Sequence, residues 1–238
     1  MRRKDYEDEE LFYCYKYPHP SVTTDCTVFG FDGVKLNVLL IRRKNKPYKN
    51  KWAFPGGFLE DGENAEEGML RELREETGLV ARYFRQFHTF TAPDRDPRER
   101  VISIAYYALV HMQEKVKGGD DAAEARWVPL DEIGTLAFDH NQILTKALHA
   151  LHRQIYFEPI VFQLLPEVFT FRELQLLYEQ ILNQRFDRRN LHKKMMRLGL
   201  LIPIGSMFSL SPKSEVNLYR FNREAYNDFK KRGNKVEF

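Results

Sequence analysis

The 238-residue sequence has only two cysteines and no long apolar run, and both shortages restrict the class of protein to which it can belong. Cys14 and Cys26 cannot build a disulfide framework, so they indicate free thiols in a reducing compartment. The longest apolar run, residues 101–112, is too short to span a bilayer. Residues 1–10 carry charges of both signs without an apolar stretch, so we expect no secretory signal. A cytoplasmic protein without a membrane partner is therefore predicted.

The formal net charge is only +3, but it is unevenly distributed along the chain. Residues 151–238 carry 15 Lys and Arg against 9 Asp and Glu, a net charge of +6. Residues 1–150 carry 22 against 25, a net charge of −3. An acidic first part and a basic second part predict different partners for the two.

The first 150 residues predict a mixed sheet flanked by helices. Runs of β-branched and aromatic residues at 21–31 and 34–42 flank Asp32-Gly33, which indicates a β-hairpin. Further strands are expected at about 83–91 and 100–110, and residues 125–133 predict one more strand that leads into a short helix. Apolar periodicity predicts one helix from Asn64 to Gly78 and another that Asp139 can N-cap.

The chain beyond residue 155 predicts two helices followed by two short strands. Thr170 to Glu173 form a capping-box pattern at the start of one helix. Asp187 is a second N-cap candidate, and Gly199 is placed where that second helix would end. The order helix, turn, helix and β-hairpin is that of a winged helix-turn-helix.

The helix predicted from Asn64 to Gly78 has three carboxylates crowded onto one face. Glu72, Glu75 and Glu76 stand at positions i, i+3 and i+4, so they repel each other unless a cation lies between them. Mg²⁺ prefers such oxygen ligands, and Arg71 can hold a carboxylate in place. Gly57 lets the preceding loop bring its backbone carbonyl close. A solvated acidic face is the alternative interpretation.

The segment from residue 57 to 79 resembles the Nudix box at every fixed position. It reads Gly57, five residues, Glu63, seven residues, then Arg71-Glu72-Leu73-Arg74-Glu75-Glu76-Thr77-Gly78-Leu79. The flanking strands and "ARWVPLDEI" extend the resemblance over about residues 20–150.

This resemblance implies hydrolysis of a nucleoside diphosphate linked to another moiety. It implies that Glu72, Glu75 and Glu76 bind Mg²⁺ or Mn²⁺ with help from the Gly57 carbonyl. It assigns Arg71 to orienting the carboxylates, and Glu63 to a structural role. In this family the general base can lie outside the box, and four candidates stay open: Glu99, Asp120, Asp121 and Glu124.

A charged turn before a buried strand contains Arg95, Arg98 and Arg100. Arginines near a metal site suit a diphosphate, because their planar forks contact phosphate oxygens in pairs. A surface turn whose Arg and Asp residues pair with each other is the alternative. Together with "AFDH" at 137–140, the turn resembles the Nudix subgroup that handles ADP-ribose, which implies a substrate-binding role for these arginines.

The helix that follows Asp187 presents mostly basic side chains once its apolar residues are turned inward. Its candidate DNA-binding residues are Arg188, Arg189, Asn190, His192, Lys193, Lys194 and Arg197, with Lys213 and Arg220 on the wing. A basic solvated helix face is the alternative. The order of elements from residue 164 to 195 resembles the C-terminal winged helix of Nudix-related transcriptional regulators of NAD or sugar metabolism.

We therefore expect an α+β chain: an N-terminal segment (1–19), a Nudix fold (20–154) and a winged helix-turn-helix domain (155–238). Three functions stay open. The chain is a DNA-binding regulator that senses ADP-ribose or a related nucleoside diphosphate, a metabolic hydrolase whose C-terminal domain serves dimerisation or substrate gating, or a regulator that hydrolyses its own effector. The complete box favours retained hydrolysis and the winged helix argues against a plain metabolic enzyme, so a regulator that senses the ligand or also hydrolyses it is favoured over the metabolic hydrolase. A homodimer is expected, because winged-helix regulators commonly read two half-sites of double-stranded DNA.

Overall fold

A computed structural model describes residues 16–112, 116, 122–208 and 215–232. Four residues singled out by the sequence lie outside this part: Cys14, Asp120, Asp121 and Lys213. Among the described helices, none combines the length and the apolar composition needed to cross a bilayer.

The first sheet has seven described strands. They are β1 (Ser21–Phe31), β2 (Leu36–Arg43), β3 (Trp52–Ala53), β4 (Gly56–Phe58), β5 (Tyr83–Phe90), β6 (Val101–Leu109) and β7 (Ala122–Pro129). The central path runs β3-β2-β1-β6-β5, while β4 pairs with β1 and β7 pairs with β2. Strands β1 and β6 are parallel, and β1 and β2 are antiparallel. The predicted mixed sheet is confirmed.

The hairpin between β1 and β2 is present, but its loop is longer than the Asp-Gly pair. Phe31 pairs with Leu36, so residues 32–35 form the loop. The Asp32 carboxylate accepts hydrogen bonds from the backbone N–H groups two and three positions later, at 2.8 and 2.6 Å. The side chain of Asp32 thus closes the turn, as Asp does in Asx-turns.

Helix α1 (Ala65–Thr77) begins and ends where the sequence predicts. Asn64 and Glu67 form a capping box at its start, which satisfies two backbone donors. Gly78 follows its last residue with φ 76°, a left-handed conformation that glycine adopts without steric cost. The catalytic candidates of the box therefore lie on a well-defined helix.

Helix α2 (His140–Ile155) follows Asp139 as predicted, but Asp139 makes no side-chain capping bond. Its carboxylate instead accepts two hydrogen bonds from the Arg95 guanidinium, at 2.8 and 3.0 Å. The apolar face of α2 is buried at Ile143 and Leu151. The position of the helix is confirmed, and the expected capping role of Asp139 is wrong because Arg95 takes the carboxylate.

The second part of the chain forms the predicted winged helix-turn-helix. Its elements are a 3-10 helix (Ile160–Gln163), β8 (Phe169–Thr170), α3 (Phe171–Leu182), α4 (Arg188–Arg197), β9 (Leu201–Phe208), β10 (Glu215–Phe221) and α5 (Arg223–Lys231). The strands pair in the order β8-β10-β9. Thr170 forms the predicted capping box of α3, and Asp187 caps α4 through the Asn190 N–H at 2.9 Å. Helix α5 was not predicted.

One apolar cluster joins the two parts. It contains Phe29 of β1 and Ile155 of α2 together with Leu174 and Tyr178 of α3, and all four are buried. The domain boundary at residue 155 stays a prediction, because buried side chains on both sides of it belong to the same cluster.

Candidate active site and nucleic-acid interface

A cavity of about 340 Å³ opens where the ends of β1 and β4 meet α1, the β5–β6 loop and the start of α2. Among the described residues that line it are Glu72 and Glu76, but not Glu75. The Glu75 side chain is 45% exposed, whereas that of Glu72 is 16% exposed. The cavity therefore gathers two of the three box carboxylates and leaves the third at its margin.

Arg71 connects the box residues to each other. Its guanidinium donates to Glu63 at 2.7 Å, to Glu72 at 2.8 Å and to Glu75 at 3.1 Å. It also donates to the Phe58 carbonyl at 3.0 Å, which ties α1 to β4. The arrangement accords with the two roles that the sequence predicts, Arg71 as the orienting residue and Glu63 as its structural partner.

Gly56 and Gly57 of β4 allow that strand to lie close to β1 and to α1. A Cβ atom at Gly57 would lie 2.3 Å from Glu72 Oε1, and one at Gly56 would lie 2.1 Å from the Thr24 carbonyl oxygen. The Gly56 N–H donates to Glu76 Oε2 at 2.9 Å. A side chain at Gly56 would meet backbone atoms, and one at Gly57 would displace the Glu72 carboxylate, so the Glu72 and Glu76 carboxylates lie close against β4.

The donor set suits a hard divalent cation. Burial raises the pKa of the Glu72 carboxyl group, and Arg71 offsets this only in part, so the ionised form needs further positive charge. In the part of the chain that is described, no three His, Cys, Asp or Glu side chains form a ready metal-binding group. Arg71 accounts for this, because Nη1 donates to both Glu72 and Glu75, the carboxylates between which a cation would bind.

The three arginines of the charged turn have different environments. Arg95 lines the cavity although its side chain is only 4% exposed, and Arg98 lines it with its guanidinium 5.1 Å from the Phe58 ring centre. Arg98 also makes a paired contact with Asp96, at 2.7 and 3.0 Å. Arg100 is exposed, and it is absent from the described residues that line the cavity.

The cavity wall contains residues that the sequence analysis missed. Asp25 accepts hydrogen bonds from Ser103 and from Arg95, and His140 Nε2 lies 3.4 Å from it. Phe138 has φ 50°, and the Arg43 guanidinium lies 4.8 Å from its ring centre. Two of these residues, Phe138 and His140, belong to the "AFDH" motif at 137–140. A carboxylate in a strand of Thr and apolar residues was the available signal for Asp25.

The two predicted general bases that the structure describes are not brought to the cavity. Asp120 and Asp121 lie outside the described residues. Of the two described candidates, neither Glu99 nor Glu124 lines the cavity. Glu99 accepts a hydrogen bond from the Ser21 hydroxyl at 2.8 Å, and Glu124 pairs with Arg42 in the sheet register.

Helix α4 presents most of the predicted DNA-binding residues on its surface. The exposed ones are Arg188, Arg189, Asn190, Lys193 and Arg197. Leu191 and Met195 face the core and are buried, as predicted. The helix therefore has a polar, basic outer face opposite an apolar inner face.

Three other predicted DNA-binding residues are placed differently. His192 is half-buried, with Nε2 2.9 Å from the Tyr219 hydroxyl and its ring edge-on to Phe171. Lys194 is also half-buried, and Lys213 lies outside the described residues. His192 thus packs between α3 and the wing rather than pointing outward as expected.

Comparisons with known proteins cover both parts of the chain. The family model for the NUDIX domain matches residues 19–151, and that for the NrtR DNA-binding winged helix domain matches residues 161–221. The ADPR responsive transcriptional repressor NtrR of Acinetobacter baylyi is 31% identical over 232 residues, which cover 94% of this chain and 92% of that protein. The ADP-ribose pyrophosphatase of Methanocaldococcus jannaschii is 44% identical over 128 residues, covering 54% and 73%.

The whole arrangement also matches a solved structure. The crystal structure of Shewanella oneidensis NrtR complexed with a 27mer DNA has a TM-score of 0.72 at 27% identity, covering 87% of this chain and 95% of that one. The fold, the box geometry and similarity over nearly the full length agree with one another. The chain belongs to the Nudix family, in the group whose Nudix domain precedes an NrtR winged helix domain.

Proposed function

We propose that this protein binds ADP-ribose or a related nucleoside diphosphate, hydrolyses it, and uses its winged helix to regulate transcription. One observation carries the proposal: a single cavity holds Glu72 and Glu76 of the box together with Arg98, in a chain that also presents a basic helix. The names of the Acinetobacter and Methanocaldococcus relatives support ADP-ribose as the ligand.

In this proposal, Mg²⁺ or Mn²⁺ is held by Glu72, Glu75 and Glu76 with the Gly57 carbonyl. The ion would neutralise the diphosphate and make a bound water more acidic. Arg71 keeps the carboxylates aligned through its charged hydrogen bonds. Arg98 would contact a phosphate through Nη1, because Asp96 already holds Nε and Nη2 and so fixes the orientation of the guanidinium.

The basic face of α4 is proposed to contact double-stranded DNA. Its first turn, with Arg188 to Asn190, would approach base edges, while Lys193 and Arg197 contact phosphates. Lys213 belongs to the same proposal as a wing contact. A homodimer follows from this, because two winged helices read two half-sites.

The enzyme part is tested with purified protein, Mg²⁺ and ADP-ribose. Water should add across the diphosphate to give AMP and ribose 5-phosphate, and Glu75→Gln should reduce kcat at least about a hundredfold. Glu66→Gln, an exposed residue of the same helix, is the matched control and should retain turnover. No turnover of any nucleoside diphosphate by the unaltered protein would exclude hydrolysis and leave a sensor.

A second candidate is a metabolic hydrolase whose C-terminal domain does not bind DNA. The 44% identity with an ADP-ribose pyrophosphatase over the first part of the chain favours it. The two candidates differ in one measurement, the binding of a duplex from the region upstream of the gene. Salt-sensitive binding of that duplex supports the regulator, and its absence supports the hydrolase.

A further inference from the structure

Arg95 is more deeply buried than the other arginines of its loop. Its side chain is 4% exposed, against 41% for that of Arg98. Nε and Nη2 donate to the two carboxylate oxygens of Asp139 at 3.0 and 2.8 Å, and Nη2 also donates to Asp25 at 3.2 Å. The fork of the guanidinium thus joins the β5–β6 loop to β1 and to the residue that precedes α2.

The charges of this cluster bind Arg95 firmly. Burial lowers the pKa of Arg95, but the carboxylates of Asp139 and Asp25 outweigh burial and raise it above its usual value. Breaking such a buried pair by removing one partner is costly, because the other charge is left without compensation. Arg95 is poorly placed to contact a phosphate itself, because its side chain is only 4% exposed and donates to two protein carboxylates, whereas the Arg98 side chain pairs with Asp96 and is 41% exposed.

The same loop carries Arg98 to the cavity. The Asp96 carboxylate accepts from the Arg98 backbone N–H at 2.9 Å and from its guanidinium at 2.7 Å. Asp96 is itself buried directly beside Arg95. The loop therefore has a buried anchor at Arg95, in the cavity wall, and a more exposed side chain in the cavity three residues later.

We propose that Arg95 is a positioning residue, whose bonds to Asp139 and Asp25 fix the β5–β6 loop so that Arg98 meets the ligand. This rests on the proposed function of the cavity, and it replaces direct substrate binding by Arg95. Asp139 helps to hold Arg95 in place, although it is absent from the described residues that line the cavity. A change at Asp139 therefore acts on the ligand indirectly, through Arg95 or through its sequence neighbours Phe138 and His140, which line the cavity.

The test compares Arg95→Lys, Asp139→Asn and Arg98→Ala in ADP-ribose hydrolysis with Mg²⁺. Each single change should raise KM about tenfold with kcat within about twofold, because ground-state and transition-state binding are weakened alike. The double variant Arg95→Lys with Arg98→Ala should bind ADP-ribose no more weakly than Arg98→Ala alone. Both changes act on the same contact, that between Arg98 and the ligand. The proposal would be overturned if the increases in KM of the two single variants multiplied in the double variant, or if Asp139→Asn left KM unchanged.

A ligand-free measurement separates this proposal from the proposed function. Amide hydrogen exchange in residues 91–100 should be faster in Arg95→Lys and Asp139→Asn than in the unaltered protein. Arg82→Lys, an exposed arginine before β5, is the matched control and should leave exchange in the loop unchanged. Unchanged exchange in both anchor variants would refute the positioning role even if ADP-ribose is hydrolysed. Faster exchange in a protein that turns over no diphosphate would retain the anchor and reject only the proposed function.

Discussion

The side-chain amide of Gln180 in α3 accepts a hydrogen bond from the Leu36 N–H of β2 at 2.7 Å. The same amide donates to the Val34 carbonyl, also at 2.7 Å, so it pairs with the hairpin loop as a neighbouring strand would. Strand β2 runs from this contact to Arg43, which lines the cavity. One strand thus touches the candidate ligand site at one end and the winged helix at the other.

We expect Gln180→Leu to weaken the connection between ligand and DNA binding. The change keeps the size of the side chain but removes both hydrogen bonds, which should lower the free energy of unfolding by about 1–3 kcal/mol. The ratio of DNA affinities with and without ADP-ribose should move towards one, while ligand affinity stays the same. Gln184→Leu, an exposed residue beyond the end of α3, is the control in urea unfolding and DNA titration. An unchanged ratio in Gln180→Leu would contradict this role.

Gly57→Ala should disable the box without unfolding the protein. The added Cβ would lie 2.3 Å from Glu72 Oε1, so the carboxylate must move away from its place beside β4. Turnover of ADP-ribose should fall at least about tenfold, since a small displacement of a positioned group is costly in catalysis. Gly134→Ala, whose added Cβ would meet no described atom within 4 Å, should leave turnover intact. Normal turnover by Gly57→Ala would show that the Glu72 position is unimportant.

The box and the caps could be predicted from the sequence because each depends on residues close together in the chain. Asn64 with Glu67, and Thr170 with Glu173, act over three positions. The Asp25, Arg95 and Asp139 cluster could not be predicted, because it joins residues 44 to 70 positions apart. The capping rule at Asp139 failed for the same reason: a distant arginine competes for a carboxylate that local pattern assigns to the helix.

Helix α5 and the placement of His192 depend on packing rather than on local pattern. Tyr226 packs against the core through Phe221, 5.8 Å between ring centres, and nothing in the sequence around residue 223 signals that contact. His192 was expected to face outward because the helical period turns Leu191, Met195 and Leu198 inward. The Tyr219 hydroxyl of the wing provides its hydrogen-bond partner, and only the fold brings the two together.

Arg189→Ala should weaken DNA binding mainly through lost phosphate or base-edge contact. Arg189 is exposed on the outer face of α4, so the change should leave stability within about 0.5 kcal/mol. Affinity for an operator duplex should fall about tenfold, and if the contact is to a phosphate, the salt slope should decrease by about one. Arg82→Ala, exposed in the first part of the chain, is the control in fluorescence anisotropy. Equal binding by both variants would argue against α4 as the DNA-binding helix.

His140 should make the stability of the protein depend on pH. It is buried, and its Nδ1 accepts the Phe54 N–H at 2.9 Å, so the proton of the neutral ring is on Nε2, facing Asp25. Burial lowers the pKa of His140 below its usual 6.5, and the Asp25 and Asp139 carboxylates do not fully offset it. The unfolded chain therefore takes up a proton near pH 6.5, whereas the folded protein does so only at lower pH.

It follows that the contribution of His140 is fully present above pH 6.5 and is lost as the pH falls below it. Urea unfolding between about pH 7.5 and 5.5 should show a falling free energy of unfolding. His140→Asn can still accept the Phe54 N–H through its amide oxygen but cannot titrate, so its stability should change less over this range. His149→Asn, an exposed position of the same helix, should keep the slope of the unaltered protein. If His140→Asn and the unaltered protein had the same slope, the acid sensitivity would have to come from other groups, and a neutral His140 beside Asp25 would be the wrong description of the cavity wall.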